Sequence, residues 1–475
     1  MRININFKEI LKVDYKKNAI FIVILFALLL RIIFFIAAKP WDDQVVQNEI
    51  IFSDAAGYHR LALNILDTGS FSDLGDLGAN RTPGYPLFVS IIYFIFGVKP
   101  WVVLFFQVLL NIVSLIMVYK LGKIMFSKKI AIIAAVLFAI DPHQILYTTT
   151  LLTETLFVTI FLVSIFFLIY GLNNKKILFL ILSSLFLGFA TLIRPISQFF
   201  PAIVLLVILI YPKIGWALRL RTSIYYILIF LFTISPWLYR NYSKFGYASL
   251  SSIQGESLLF WFVSYTEVER TGKSIDQVRK EFSQKAKESG ADENGNPFYN
   301  SKIYSEIAIE YLKTNWPDYI SRHLKGTINL YISIGTKGIL KKLGLKSSDL
   351  NFDLYNSPNI FKMIIGFIKS KSLIEILIGL SIGGFLLICY TSFIWGCINM
   401  TKDKKYFYLI IFIAIIAYFL ILLGVFGSNR YKVPITPFYI VIAANGLYDV
   451  YKRINFRNPE TQKPGTEDVN RWGET

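Results

Sequence analysis

The chain is poor in charge, in histidine and in cysteine. Only 17% of its 475 residues are Asp, Glu, Lys or Arg, against roughly a quarter in soluble globular proteins. Cys389 and Cys397 are its two cysteines and share one apolar run, which excludes a disulfide framework and a thiolate metal site. The three histidines, His59, His143 and His323, have no ligand spacing, so no metal centre is expected. Acid is scarcer than base, 31 residues against 49 for a net charge of +18. In so apolar a chain that excess reads as loop charge, and no nucleic-acid partner is expected. Solenoid repeats, low-complexity tracts and the short alternating strands of a membrane barrel are also missing.

What is present is apolar. Hydrophobic residues make up 55% of the chain and aromatic ones 16%. Apolar runs recur with the ~17–25 residues that a helix needs to cross the bilayer. The pattern predicts an all-α polytopic membrane protein with about ten spans, at 18–38, 101–122, 130–147, 152–171, 177–194, 198–212, 222–240, 373–399, 406–426 and 434–451. The first run follows Arg2, Lys8, Lys12, Lys16 and Lys17 and outlasts a signal peptide's apolar stretch, so it reads as an uncleaved anchor. With the N-terminus in the cytoplasm, the alternate loops carry Lys120/Lys123/Lys128/Lys129, Lys175/Lys176, Lys213/Arg219/Arg221 and Lys402/Lys404/Lys405, and the tail carries Lys452/Arg453/Arg457. Every short basic loop is then inside, with both termini.

This arrangement divides the chain into a membrane module, 1–240, with a first outer loop at 39–100; an extracytoplasmic segment, 241–372; C-terminal spans, 373–457; and a polar tail, 458–475, expected to be disordered. In the first loop, 85–98 is apolar but short and bracketed by Pro83, Pro86 and Pro100, as in an interfacial or re-entrant helix. The 241–372 segment holds a polar stretch, 267–300, and amphipathic pieces at 303–312 and 319–330, which predict a small helical cap.

Ionisable residues near span ends converge on the outer side. They are Arg31, Asp54 with Tyr58, Arg81, Asp141, Glu154, Arg194, Arg240 and Arg430-Tyr431. Such residues are costly in hydrocarbon and mark wet cavities. Carboxylates beside several arginines at a membrane surface suit an anionic lipid headgroup attacked by a hydroxyl. Guanidiniums hold a phosphate through bidentate charged hydrogen bonds, a carboxylate takes the proton of the attacking hydroxyl, and fixed positive charge replaces a divalent metal, so no cofactor is required. Simpler readings stand beside this one: Arg31 as a snorkelling span-end residue, Arg194-Pro195 as a helix stop, Asp141-Pro142 as a kink with a solvated acid, and Ser53 or Asp54 as a helix N-cap.

Asp54-x-x-x-Tyr58, Arg81-Thr-Pro-Gly-Tyr-Pro86, Leu151-Leu-Thr-Glu154-Thr, Leu192-Ile-Arg194-Pro195, Ser235-Pro-Trp-Leu-Tyr-Arg240-Asn241 and Arg430-Tyr-Lys-Val-Pro434 occur in that order at these span ends. Together they resemble the GT-C glycosyltransferases, in the branch of protein O-mannosyltransferases and lipid A aminoarabinose transferases. The resemblance implies a sugar carried on polyprenyl phosphate and transferred with inversion, outside the cytoplasmic membrane, to an acceptor hydroxyl on a glycan, lipid or protein. It implies Asp54 as general base and Glu154 as a second acid in the same cavity. Arg81 and Tyr58, and more loosely Arg240 and Arg430, stand on the phosphate side, with Asp141, Arg194 and Tyr431 as further cavity candidates. Two departures bear on the acceptor. Ala55 follows Asp54 where the protein mannosyltransferases have a second acid, and the C-terminus is shorter than in the aminoarabinose enzymes. The competing expectations are a transporter or flippase of a lipid-linked anion, a polymerase or ligase using diphosphate-linked donors, and a non-catalytic scaffold.

Overall fold

The computed structural model describes residues 15–73, 76–292, 294–345 and 371–457; the expected tail at 458–475 and part of the 241–372 segment lie outside the described residues. The first apolar run forms α1 (Tyr15–Ala37). After two short helical turns come α2 (Asp54–Thr68), a two-residue antiparallel hairpin of β1 (Ser72–Asp73) and β2 (Asp76–Leu77), and α3 (Gly84–Phe96). The bundle continues with α4 (Pro100–Met125), α5 (Lys128–Ile140), α6 (Pro142–Leu146), α7 (Glu154–Asn174), α8 (Ile177–Ile193), α9 (Phe200–Ile210) and α10 (Trp216–Phe245). A helical subdomain follows, with α11 (Ile253–Ser257), α12 (Ser264–Thr271), α13 (Ile275–Glu288), α14 (Pro297–Ile332) and α15 (Thr336–Lys342), and the chain returns to the bundle as α16 (Leu373–Lys402), α17 (Tyr406–Leu423) and α18 (Thr436–Arg457).

Among the described residues, six helices are long and apolar enough to cross a bilayer, or seven if α5 and the 142–149 segment count as one bent span. The other expected spans coincide with the shorter apolar helices α8 and α9 and with α18. The run at 130–147 is not the continuous helix expected. It bends by 54° at Asp141, because Pro142 disfavours helical backbone in the residue before it and has no N–H to donate. Asp141 takes an extended conformation, and its Oδ1 accepts from the N–H groups of His143 (3.0 Å) and Gln144 (2.8 Å), starting α6 afresh. Asp141 is completely buried, so the kink expected here is present but the acid is not solvated.

A helix broken within the bilayer leaves carbonyls that only protein can satisfy. Arg31, fully buried rather than snorkelling, meets that need. Its guanidinium donates to Ala139 O (2.9 Å) and Phe138 O (3.3 Å) at the end of α5, and to Asn111 Oδ1 (2.7 Å) on α4. Asn111 donates in turn to Gln144 Oε1 (3.3 Å), and Gln144 Nε2 to Val433 O (3.0 Å). A second amide, Gln107, accepts from the Tyr85 hydroxyl (2.9 Å) and donates to Thr150 O (2.7 Å). These buried amides tie α1 and α4 to the 142–150 turn and to the segment before α18.

The α3 helix is 13 residues long. It buries Tyr85, Val89, Ile92 and Tyr93 and turns Leu87, Ile91, Phe94 and Ile95 outward, an apolar outer stripe that suits a helix lying in the membrane boundary. In the subdomain, the two expected amphipathic pieces form one helix, α14, broken at Asn315 (φ −113°, ψ 26°) ahead of Pro317. Leu259, Val263, Ala286, Ile303, Ile307 and Ala308 form its own small apolar cluster.

The helices also sort charge by end. Glu154 opens α7 and Arg194 follows α8, so Lys175 and Lys176 lie at the far ends of both helices, ~30 Å away for a helix of 21 residues. Arg219 and Arg221 begin α10 while Arg240 lies near its other end. Lys402, Lys404 and Lys405 precede α17 while Arg430 follows it. One end of the bundle therefore bears plain lysine loops, and the other gathers the candidate site.

Candidate active site

The first loop delivers Asp54 on strained backbone. Ser53 has φ 56° and ψ −126°, unfavourable for a residue with a Cβ, and makes no capping bond through its side chain. Asp54 is the first residue of α2, and its carboxylate is engaged elsewhere than at the helix N-terminus. Oδ1 accepts from Arg81 Nη2 (3.2 Å) and Oδ2 from Arg430 Nη1 (2.7 Å). One turn on, the Tyr58 ring lies under the Arg81 guanidinium, 4.2 Å from its centre, and meets Tyr85 edge to face at 5.0 Å. Gly57 makes room for this: a Cβ there would stand 3.0 Å from Arg81 Nε.

Glu154, wholly buried, supplies the second carboxylate. Its Oε1 accepts from Arg194 Nη1 (2.9 Å) and from Arg430 Nε. Its Oε2 is buried without a hydrogen-bond partner, an arrangement native interiors avoid outside sites that await a ligand or water. Arg194 both ends α8, in extended backbone before Pro195, and pairs with Glu154, so the two readings of it hold together. Arg430 joins the two acids, and its neighbour Tyr431 stacks on Phe426 with ring centres 4.6 Å apart.

Five stretches thus form one ionic chain, Arg81–Asp54–Arg430–Glu154–Arg194. Three guanidiniums against two carboxylates leave one positive charge. Burial alone would lift the Asp54 carboxyl, but Arg430 and then Arg81 outweigh it and hold it below the usual carboxylate range. The acids reciprocate. Burial would lower Arg430, yet Glu154 and Asp54 hold its guanidinium well above its ordinary value.

The structure does not bring every candidate here. Arg240 donates to Gly78 O (2.8 Å) and Phe71 O (2.9 Å) and lies 4.8 Å from the Trp237 ring centre, so it fastens the hairpin of the first loop. Asp141 belongs to the helix break, near His143 and the buried Lys432, whose Nζ donates to Ser333 O (3.1 Å). Sequence reasoning missed Lys432 and the supporting amides Asn111, Gln107 and Gln144. For Gln107 and Asn111 the available signal was a polar side chain inside an otherwise apolar run. Among the described residues no group of three or more His, Cys, Asp or Glu could hold a metal ion.

Residues 80–239 match the family model described as dolichyl-phosphate-mannose-protein mannosyltransferase. No curated protein matches the chain. Among solved structures, the archaeal oligosaccharyltransferase AglB from Archaeoglobus fulgidus, in complex with an inhibitory peptide and a dolichol-phosphate, superposes with a TM-score of 0.53 at 14% identity, covering 96% of this chain and 53% of that one. Its apo form gives 0.54 at 14% identity, with 93% and 52% covered. ArnT from Cupriavidus metallidurans bound to undecaprenyl phosphate gives 0.41 at 11% identity, with 94% and 82% covered. The chain spans about half the length of the oligosaccharyltransferase it matches. With its helical bundle, its likeness to AglB and the family match over residues 80–239, the chain is a multi-pass membrane protein of the GT-C fold.

Proposed function

We propose that the protein is an inverting glycosyltransferase that moves a sugar from a polyprenyl-phosphate donor to a hydroxyl of a cell-envelope glycan, lipid or protein, at the outer face of the cytoplasmic membrane. The observation that carries this reading is the ionic chain itself: two carboxylates threaded between three arginines at one end of a helical bundle. The basic loops at the opposite end support cytoplasmic termini and an outward-facing site. The dolichol-phosphate in the AglB complex supports a lipid-linked donor.

The donor is a phosphodiester carrying one negative charge, matching the one positive charge of the cluster. Its phosphate would draw Arg81 and Arg430 away from Asp54 through charged hydrogen bonds. Asp54, losing its counter-ions, becomes more basic and accepts the proton of the acceptor hydroxyl as that oxygen attacks the anomeric carbon. The bond from the anomeric carbon to the phosphate oxygen breaks with inversion, and the electron pair leaves on polyprenyl phosphate. The arginines stabilise the charge that grows there, so no metal or other cofactor is needed. Glu154 keeps Arg430 and Arg194 oriented. Purified protein given radiolabelled polyprenyl-phosphate sugars should consume one of them, and Asp54→Asn should abolish transfer in a folded, inserted protein. Wild-type turnover in that variant would end the assignment.

A further inference from the structure

Beside the ionic chain, between the Arg81 turn and the helical subdomain, lies a cavity of about 280 Å³ lined by Asn80, Ser252, Glu256, Phe260, Asn300 and Tyr304. Its walls are fixed. Ser252 N donates to Ala79 O (3.0 Å) and Ser251 Oγ to Asn80 O (2.6 Å), joining the first loop to α11. Gly255 lets α11 lie on α14, since a Cβ there would fall 1.9 Å from Ser301 O. Asn300 is held by Asp292 through both ends of its amide.

We propose that this cavity binds a sugar ring, the hydroxylated ring of the acceptor glycan, next to the phosphate site. This assignment rests on the glycosyltransferase reading above. Phe260 and Tyr304, edge to face at 5.1 Å, offer aromatic surface for the C–H faces of a ring. Opposite them are polar groups of the right kind. The Glu256 carboxylate lines the cavity and can accept from two neighbouring hydroxyls. Asn80 receives Ser252 Oγ on its Oδ1 (2.6 Å), which fixes the amide so that its NH₂ is the end left to donate. Glu256 also selects by charge. Burial raises its carboxyl above the ordinary value while Arg81 draws it down; ionised, it repels a phosphate from the cavity, so the neutral ring is taken here and the phosphate is left to the arginines. The volume, near the lower end of the ~300–1,000 Å³ of ligand pockets, suits a sugar unit and not a folded partner.

The test is saturation-transfer NMR on the purified full chain in detergent, with free glucose, galactose, mannose and N-acetylglucosamine as probes, beside donor consumption in the same preparation. At least one sugar should bind, and Glu256→Gln and Phe260→Leu should each weaken it by about tenfold or more, as expected for loss of a hydrogen bond to a charged group or of a stacking face. No sugar binding, or binding that neither variant changes, overturns the subsite. Sugar binding that survives saturating polyprenyl-phosphate sugar assigns the cavity to the acceptor. Binding that the donor displaces keeps the subsite and assigns it to the donor's ring. The two readings fail separately: donor consumption without cavity-dependent sugar binding removes only the subsite, and cavity-dependent binding without donor consumption removes only the transferase.

Discussion

Replacing Glu154 by Gln separates the structural role of the cluster from its role toward phosphate. The carboxylate is fully buried and holds Arg194 at 2.9 Å as well as Arg430. Taking one partner from a buried ion pair costs about 3–5 kcal/mol. Arg430 keeps Asp54 at 2.7 Å, and the Arg194 side chain retains 12% exposure, so the loss should fall near the lower bound, about 3 kcal/mol. The assay is thermal unfolding of the purified chain in detergent, with and without polyprenyl phosphate. The empty variant should melt several degrees below wild type. Added lipid phosphate should then stabilise the variant more than it stabilises wild type, because it supplies the negative charge the two guanidiniums have lost. If it recovers ~1.4 kcal/mol, its affinity for the variant is tenfold higher. Transfer should nevertheless fall, since the arginines are no longer held in place. Equal stabilisation of the two proteins would refute the placing of phosphate on Arg430.

Arg240→Ala should act through the first loop, losing two charged hydrogen bonds to carbonyls and about 2 kcal/mol of stability; proteolysis within 69–80 that is no faster than in wild type would count against that role. Asn111→Ala takes the partner of Arg31 Nε and of Gln144 Oε1 and should cost about 1–3 kcal/mol, with slower transfer because Gln144 holds Val433, three residues from Arg430; undiminished melting temperature and turnover would refute the link. In the free enzyme Asp54 ionises below its ordinary pKa. Its ion pairs are therefore complete above the usual carboxylate value, ~3.9, and are lost as pH falls through the lower native one. The acid limb of kcat/KM, which reports the free enzyme, should lie below that value, and a limb between pH 6 and 7 would exclude Asp54 as the base. The side chain of Asp54 is 45% exposed, so the accompanying stability change should be small.

Lysine loops and apolar run lengths were enough to read helices at every expected span, because both follow from the cost of placing charge and free peptide groups in hydrocarbon. The meeting of Asp54, Arg81, Glu154, Arg194 and Arg430 was legible as a convergence on one side, since side follows from span parity. Their pairing was not, because it depends on which guanidinium reaches which oxygen after the helices pack. Arg31 and Arg240 misled for the same reason. Each stands at a span end like the site residues, yet one satisfies the carbonyls of the broken α5 and the other those of the hairpin, acceptors that exist only in three dimensions. The bend at Asp141 was signalled by Pro142, but its buried surroundings come from Lys432 and His143, remote from each other in sequence.

The pairing of Asp54 with both Arg81 and Arg430 in the empty protein has a kinetic corollary. A carboxylate clasped by two guanidiniums is a feeble base, so, if Asp54 is the base as proposed, a stray water or an acceptor arriving alone would find it idle. Only a ligand rich enough in negative charge to compete for those arginines releases it. On the proposed reaction, donor loading would then act as a safety catch: the resting charges of the site would set the order of substrate addition and restrain wasteful hydrolysis.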